Sequence, residues 1–219
     1  MKRSIKKLVM TVFCFIGMMM LLFESVTKGI FLIAFAWLGL MIVELRQIKR
    51  LCVYCEPTLF RCGRTELVAE HLQHLSDSLL FYEILKNRMA YLEVGRRNVM
   101  GDYETALGLS EIYSGRFSQK SKALFNREIC YAELKMGREG ILYVATDDYR
   151  DDLIQALRLI QEGNERAALG VLSELREEEA GNVIFREVNQ LMAGLLKESQ
   201  PEMSAYYGHI AAVFYDEDE

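Results

Sequence analysis

Two uncharged apolar runs lie near the start of the chain, and a helical rhythm of apolar positions fills the rest. Residues 8–23 (LVMTVFCFIGMMMLLF) and 29–43 (GIFLIAFAWLGLMIV) carry no charged side chain. One helix through both runs would be about 54 Å long. A hydrocarbon core is only about 30 Å thick. The pattern therefore predicts two crossings joined by a turn between Glu24 and Gly29, with Gly29 supplying backbone freedom. The alternative is a single crossing with the other run lying shallow. The basic start MKRSIKK also has the form of a signal peptide, but no A-x-A-like cleavage site follows and a second apolar run begins at once. The first run is read as retained.

Residues 44–56 (ELRQIKRLCVYCE) extend the second helix, Pro57 stops it, and 57–64 (PTLFRCGR) form a connector. Beyond them, apolar residues recur at helical spacing. The stripes are Phe81, Leu85, Met89 and Leu92; Phe125, Ile129, Ala132 and Met136; and Leu153, Leu157 and Ile160. Three more follow: Ala168, Val171, Leu172 and Leu175; Ile184, Val188, Leu191 and Leu195; and Met203, Tyr207, Ile210 and Phe214. Each is read as a core face. Ser199-x-x-Glu202, with Pro201 in the first turn, reads as a capping box. GILYVATD (140–147) has β-branched and aromatic content but no partner strand, and is read as a short helix. The fold class is all-α: a transmembrane helical hairpin (1–50), a juxtamembrane connector and helix (51–78), and a helical repeat domain with an acidic tail (79–219).

Gly101, Gly137 and Gly163 each follow a helical stripe and precede another. Ala106, Leu142 and Ala168 stand at one fixed distance after these glycines, and Val94, Cys130 and Ala156 at one fixed distance before them. GDYETAL (Gly101–Leu107) and GNERAAL (Gly163–Leu169) resemble the inter-helix glycine and second-helix alanine of the tetratricopeptide repeat family. The resemblance covers roughly residues 80–215. Ala90, Asn126 and Asp152 stand where the family usually has Trp, and no proline closes a unit. What the resemblance implies is an array of paired helices that binds another protein on a concave face.

Charge sets the expected orientation and partners. Residues 1–64 hold 10 Lys+Arg against 3 Asp+Glu, and residues 65–219 hold 16 against 28. Lys2, Arg3, Lys6 and Lys7 precede the first run, and Arg46, Lys49 and Arg50 follow the second; the turn offers only Lys28. By the positive-inside rule both termini are expected in the cytoplasm of a cell-membrane protein. The basic part suits anionic lipid. The acidic part argues against nucleic acid. Gly17, Ala34, Ala36 and Gly39 are expected to let the two spans pack closely. With no ionisable residue inside either span, no proton or ion path is indicated.

Reactive constellations are sparse. Cys52, Cys55 and Cys62, with His71 and His74 after them, contain a Cys-x-x-Cys but no recognised zinc spacing, and are read as reduced thiols. Cys130 reads as a small core residue, Cys14 as facing lipid or the partner helix, and His209 as structural. GLSEIYSG lacks the Lys-Ser or Lys-Thr of a phosphate loop. The acidic runs REEE (Arg176–Glu179) and DEDE (Asp216–Glu219) read as a helix end and a tail. No catalytic, cofactor or metal residue is assigned, no small-molecule substrate is evident, and no enzyme is expected. The function expected is a membrane-anchored protein-interaction scaffold with an unidentified cytoplasmic protein partner and lipid around its anchor. The alternatives are an accessory subunit of a membrane complex packing through its hairpin and, last, a zinc-dependent enzyme.

Overall fold

A computed structural model describes residues 3–23, 26–113, 117–146, 148–177 and 182–216. All regular elements among them are helical. They are α1 (Arg3–Phe23), α2 (Val26–Phe60), α3 (Thr65–Ser78), α4 (Tyr82–Leu85), a 3-10 turn over Lys86–Arg88, and α5 (Ala90–Val99). Then come α6 (Tyr103–Ile112), α7 (Gln119–Lys135), α8 (Tyr149–Gln161), α9 (Glu165–Glu177), α10 (Asn182–Leu196) and α11 (Pro201–Asp216).

Ile5–Leu22 in α1 and Thr27–Phe60 in α2 contain stretches long and apolar enough to cross a membrane. Only 11% and 17% of those stretches are buried, unlike the core helices of a water-soluble protein. Leu22, Phe31 and Phe35 all point outward. Two expectations are corrected here. Gly29 lies inside α2 rather than in a turn; residues 24 and 25 fall outside the described ones. A Cβ on Gly29 would stand 2.6 Å from the Gly17 carbonyl oxygen, and one on Gly17 would stand 2.5 Å from Ile33 Cγ1. The two glycines let the helices nearly touch, as small residues do in apolar helix pairs. Ala34 and Gly39 take no part: both are exposed, and Gly39 has open space where a Cβ would be. Ala36 is half-buried.

Pro57 does not end α2. Helix continues to Phe60, so the division after residue 50 falls within one element and the expected connector is partly helical. Pro57 lacks only the hydrogen bond to the Val53 carbonyl, and both residues are exposed, where water can satisfy that oxygen. The terminator is Gly63, at φ 71°. Its N–H donates to the Leu59 carbonyl (3.0 Å) and the Arg64 N–H to that of Thr58 (3.1 Å), so the turn at this glycine satisfies carbonyls that the helix end leaves free.

From there α3 packs back along α2, and α5 packs against both. Each helix from α5 to α11 then packs on its successor in the chain. Three apolar cores result. One joins Leu40 and Ile48 of α2 to Leu75, Leu79, Phe81 and Leu85. A second buries Cys55, Leu59 and Phe60, at the far end of α2, among residues such as Val68, Leu92, Val94 and Ala106. The third runs from Cys130 and Tyr131 of α7 to Tyr207 of α11. α2 thus begins in the apolar hairpin and ends in the middle of the helical array.

The glycine punctuation holds at two of its three places. Gly101 (φ 76°) and Gly163 (φ 75°) occupy the left-handed region that ends a helix. The next helix is capped at once, by Asp102 Oδ1 accepting from Thr105 N–H (3.3 Å) and by Asn164 Oδ1 accepting from Ala167 N–H (3.4 Å). Val94, Cys130 and Ala156, together with Ala106 and Ala168, are all fully buried. Gly137 ends α7 in the same way, but no helix follows until Tyr149. The short helix expected at 140–147 is absent from the described residues 140–146, and Leu142 is 86% exposed. Gly140 and the β-branched Ile141, Val144 and Thr146 favour extended backbone. Side chains hold that backbone from outside: Ile141 N–H donates to Glu133 Oε2 (2.7 Å), and Arg158 Nη2 donates to the Ile141 carbonyl (3.0 Å).

The last stripe is also revised. Met203 is 40% exposed, and α11 presents Tyr207 and Ala211 inward. Because α11 begins at Pro201, Gln200 takes the cap position and Ser199 lies one residue outside it. The Phe214 side chain is outside the described part.

One packing prediction follows from two glycines. A Cβ on Gly95 would stand 2.4 Å from Phe60 Cζ, whereas one on Gly108 would meet nothing within 4 Å. Gly95→Ala is expected to destabilise the array by about 1–3 kcal/mol through overpacking. Gly108→Ala is expected to stabilise it by about 0.5–1 kcal/mol through helix propensity. Chemical unfolding of the detergent-solubilised chain, followed by circular dichroism, measures both.

Candidate functional site

Where α2 leaves the apolar helix pair, a buried polar network joins it to α1 and to the end of α3. Lys6 and Glu44 are both fully buried, with Lys6 Nζ 2.8 Å from Glu44 Oε1. The ammonium also donates to Gln47 Oε1 (3.1 Å) and to the Ser78 carbonyl (3.0 Å), which uses all three of its protons. Glu44 additionally accepts the backbone N–H groups of Leu80 (2.8 Å) and Phe81 (2.9 Å). Phe81 stacks on Trp37 of α2 at 5.0 Å. A single ion pair therefore joins α1, α2 and the segment after α3. The sequence reading used Lys6 only for orientation and Glu44 only as the end of a run. Their pairing spans 38 positions and leaves no local signal.

Beside this junction lies a groove of about 450 Å³. Its α2 wall presents Ile42, Leu45, Arg46, Lys49, Val53 and Glu56, with Cys52 among them. Those positions repeat at three and four residues and share one helix face. The opposite wall combines Arg88 and Tyr91 with Ser118, Lys120, Ser121 and Leu124 around the start of α7. Ser118 caps α7, its Oγ accepting from Ser121 N–H (3.3 Å). Glu56 accepts from the Tyr91 hydroxyl (3.3 Å). Among the described residues, Arg46, Lys49, Arg88 and Lys120 have no carboxylate within ion-pair distance, and all four are exposed. Sequence reasoning found the first pair as an orientation signal. The second pair comes from distant segments that only the fold brings to the same groove.

Deeper in the array, α7 buries charges. Glu128 is flanked by Arg127 (Nε to Oε1, 3.1 Å) and Arg150 (Nη2 to Oε2, 2.5 Å), and Asn98 Nδ2 donates to its backbone carbonyl (2.8 Å) and carboxylate (3.2 Å). Arg127 and Glu128 are fully buried and Arg150 is 1% exposed. The Arg150 guanidinium lies over Phe60 (4.8 Å) and Tyr131 (4.4 Å), a cation–π arrangement. Tyr131 donates a short hydrogen bond to Glu187, which also accepts from Lys135 (3.0 Å). Burial pushes the Glu128 carboxyl up, but Arg150 and Arg127 outweigh it and hold it below its ordinary value. Burial also pushes the Asp151 carboxyl up, and donation from Thr146 overcomes that. Glu128 has no exposed surface, and its partners Asn98, Arg127 and Arg150 tie α5, α7 and α8 together.

The cysteines and histidines do not converge. Cys55 is enclosed in the core, Cys52 lines the groove half-buried, and Cys62 is exposed beyond the end of α2. His71 stacks against Tyr54 (5.2 Å), with Nδ1 2.7 Å from the Leu67 carbonyl oxygen, while His74 and His209 are exposed. Among the described residues no three His, Cys, Asp or Glu side chains gather as a metal would need. Cys130 is buried beneath Gly140, where a Cβ would come within 2.6 Å of its sulfur, and burial pushes its thiol up. Of the acidic runs, Arg176 ends α9 with its guanidinium over Tyr207 (5.0 Å); most of DEDE lies outside the described residues. No protein-family model, curated protein or solved structure gives a significant match to the chain.

Proposed function

We propose that the protein is a membrane-anchored scaffold. Its hairpin crosses the cell membrane twice with both termini in the cytoplasm, and its tetratricopeptide-like helical array holds a protein partner at the inner face. The observation that carries this reading is the course of α2. The helix runs unbroken from an exposed apolar stretch into the array's core, where Leu59 and Phe60 are fully buried. An array mounted in that way presents a partner at fixed height and orientation. The scaffold is non-catalytic on this reading, and anchoring raises the effective concentration of whatever it holds. The paired helices about Gly101 and Gly163 support the repeat resemblance; the extended segment after Gly137 departs from it.

The test uses the full chain, because removing α2 would strip Cys55, Leu59 and Phe60 from the core. Photo-crosslinking in intact membranes identifies the partner. Leu142→Asp with Val144→Asp alters exposed apolar positions of the array, which are 86% and 75% exposed. Phe31→Ala with Phe35→Ala alters the outer face of the hairpin, at positions 75% and 76% exposed. The scaffold reading expects the partner to be lost by the first pair and kept by the second. The reverse result would make the protein a subunit that packs through its hairpin. A reporter joined after Glu219 that lies outside the cytoplasm would overturn the orientation.

A further inference from the structure

We infer that the groove between α2 and the start of α7 is a binding site for the phosphate headgroup of an anionic phospholipid. The inference rests on the hairpin crossing the bilayer and adds a specific lipid to that reading. Its first support is charge. Arg46, Lys49, Arg88 and Lys120 line one concavity, and among the described residues Glu56 is the sole carboxylate in its lining. That carboxylate accepts from the Tyr91 hydroxyl (3.3 Å) and offsets part of the charge of Lys120, leaving the lining with a net excess of cations. Like charges brought together repel, and an anion held between them would relieve that repulsion. Guanidinium groups suit the task, since their forked donors match two phosphate oxygens at once.

The second support is position. The last uncharged run ends at Val43, and the lower lip of the groove is Ile42 and Leu45. At ~1.5 Å per residue, Arg46 stands about 5 Å and Lys49 about 9 Å above Val43 along α2. The interfacial layer on each side of a bilayer is about 5–8 Å deep. The α2 cations therefore flank the level of lipid phosphates, and the apolar lip meets the top of the acyl chains. Arg88 and Lys120 face them across the groove, where the remainder of a headgroup would lie. The N-terminus of α7, a helix of 17 residues, opens on the same side. Its partial positive charge adds to the attraction for an anion. A free phosphate compound would satisfy the cations but would leave the exposed Ile42 and the half-buried Leu45 uncovered; a lipid satisfies both.

The experiment is native mass spectrometry of the full chain released from nanodiscs, with lipid affinity measured by titration. Nanodiscs of phosphatidylglycerol in phosphatidylcholine are the lipid arm, and millimolar glycerol phosphate in pure phosphatidylcholine is the soluble arm. Retention of phosphatidylglycerol over phosphatidylcholine is expected. Arg88→Gln with Lys120→Gln should weaken it about 30-fold, at roughly fivefold per cation. Arg88→Lys with Lys120→Arg should restore most of it. Arg138→Gln with Lys197→Gln removes equal charge from exposed positions outside the groove and should leave it unchanged. Equal retention by the groove and control variants would overturn the inference, as would displacement of the lipid by glycerol phosphate. Circular dichroism identifies any variant that fails to fold, and the single substitution Lys120→Gln, at an exposed site, then replaces the pair. A chain that does not insert into nanodiscs at all would refute the anchor; one that inserts without lipid preference would refute this site alone.

Discussion

Glu128→Leu is expected to destabilise the helical array by about 3–5 kcal/mol, the usual cost of breaking a buried ion pair from one side. Arg127 and Arg150 would remain buried around an apolar side chain. Neither can shed its proton at accessible pH. Whole domains are stable by only about 5–15 kcal/mol, so this one change removes much of the margin. Glu128→Gln keeps the shape and the contact with Asn98 and should cost less. Urea unfolding of the detergent-solubilised chain, read by circular dichroism, gives both values; a cost under about 1 kcal/mol for Leu would mean that the cluster is not the clamp described. The pH dependence has a definite sign. The folded carboxyl lies below its ordinary value, so its contribution is complete above the unfolded pKa of about 4.3 and is lost as pH falls through the folded value. Asp151, also held low, contributes in the same direction. Stability should fall on acidification below about pH 4, and Glu128→Gln should show a shallower fall.

Lys6→Met should open the junction at the base of the hairpin. Glu44 would keep its two backbone donors but lose its cation in a site with no exposed surface. Leaving such a charge unpaired costs about 3–5 kcal/mol, equivalent to a hundredfold or more in an opening equilibrium. Amide exchange at Leu80 and Phe81 reads that opening directly, since both N–H groups donate to Glu44. Exchange there should accelerate by about a hundredfold in Lys6→Met. Adding Glu44→Gln removes the stranded charge and should recover most of the protection, giving a large coupling in a double-mutant cycle. Unchanged exchange in the single variant would show that Lys6 does not hold the segment.

Much of the helical fabric was legible because it depends on local repetition. The stripes from Phe125 to Leu195 mark helices, whereas the stripe from Phe81 to Leu92 is buried but runs across α4, a 3-10 turn and α5 rather than one helix. The glycines at 101 and 163 end helices because their backbone angle is itself a local property. Errors arose where a local rule met a distant partner. Gly29 looked like a bend, but Gly17 on the other helix requires its missing side chain. Pro57 looked like a stop, but it sits on the wet side of a helix that Leu59 and Phe60 anchor on the other. GILYVATD lacks a regular ladder because Glu133 and Arg158 supply bonds that no nearby residue announces. The groove was half visible: Arg46 and Lys49 lie close in sequence, while Arg88 and Lys120 reach them only through folding.

A continuous α2 also constrains how such a protein can change its length. A helix couples advance to rotation, so each residue inserted between Lys49 and Cys52 would raise the distal bundle by ~1.5 Å and spin it by ~100°. One such step would carry Arg46 and Lys49 out of phase with Arg88 and Lys120. Seven inserted residues come within about 20° of two whole turns and nearly restore the phase, at a cost of ~10 Å in height. Related chains of altered stem length should therefore differ in steps of whole turns, as the teeth of a gear permit only certain settings.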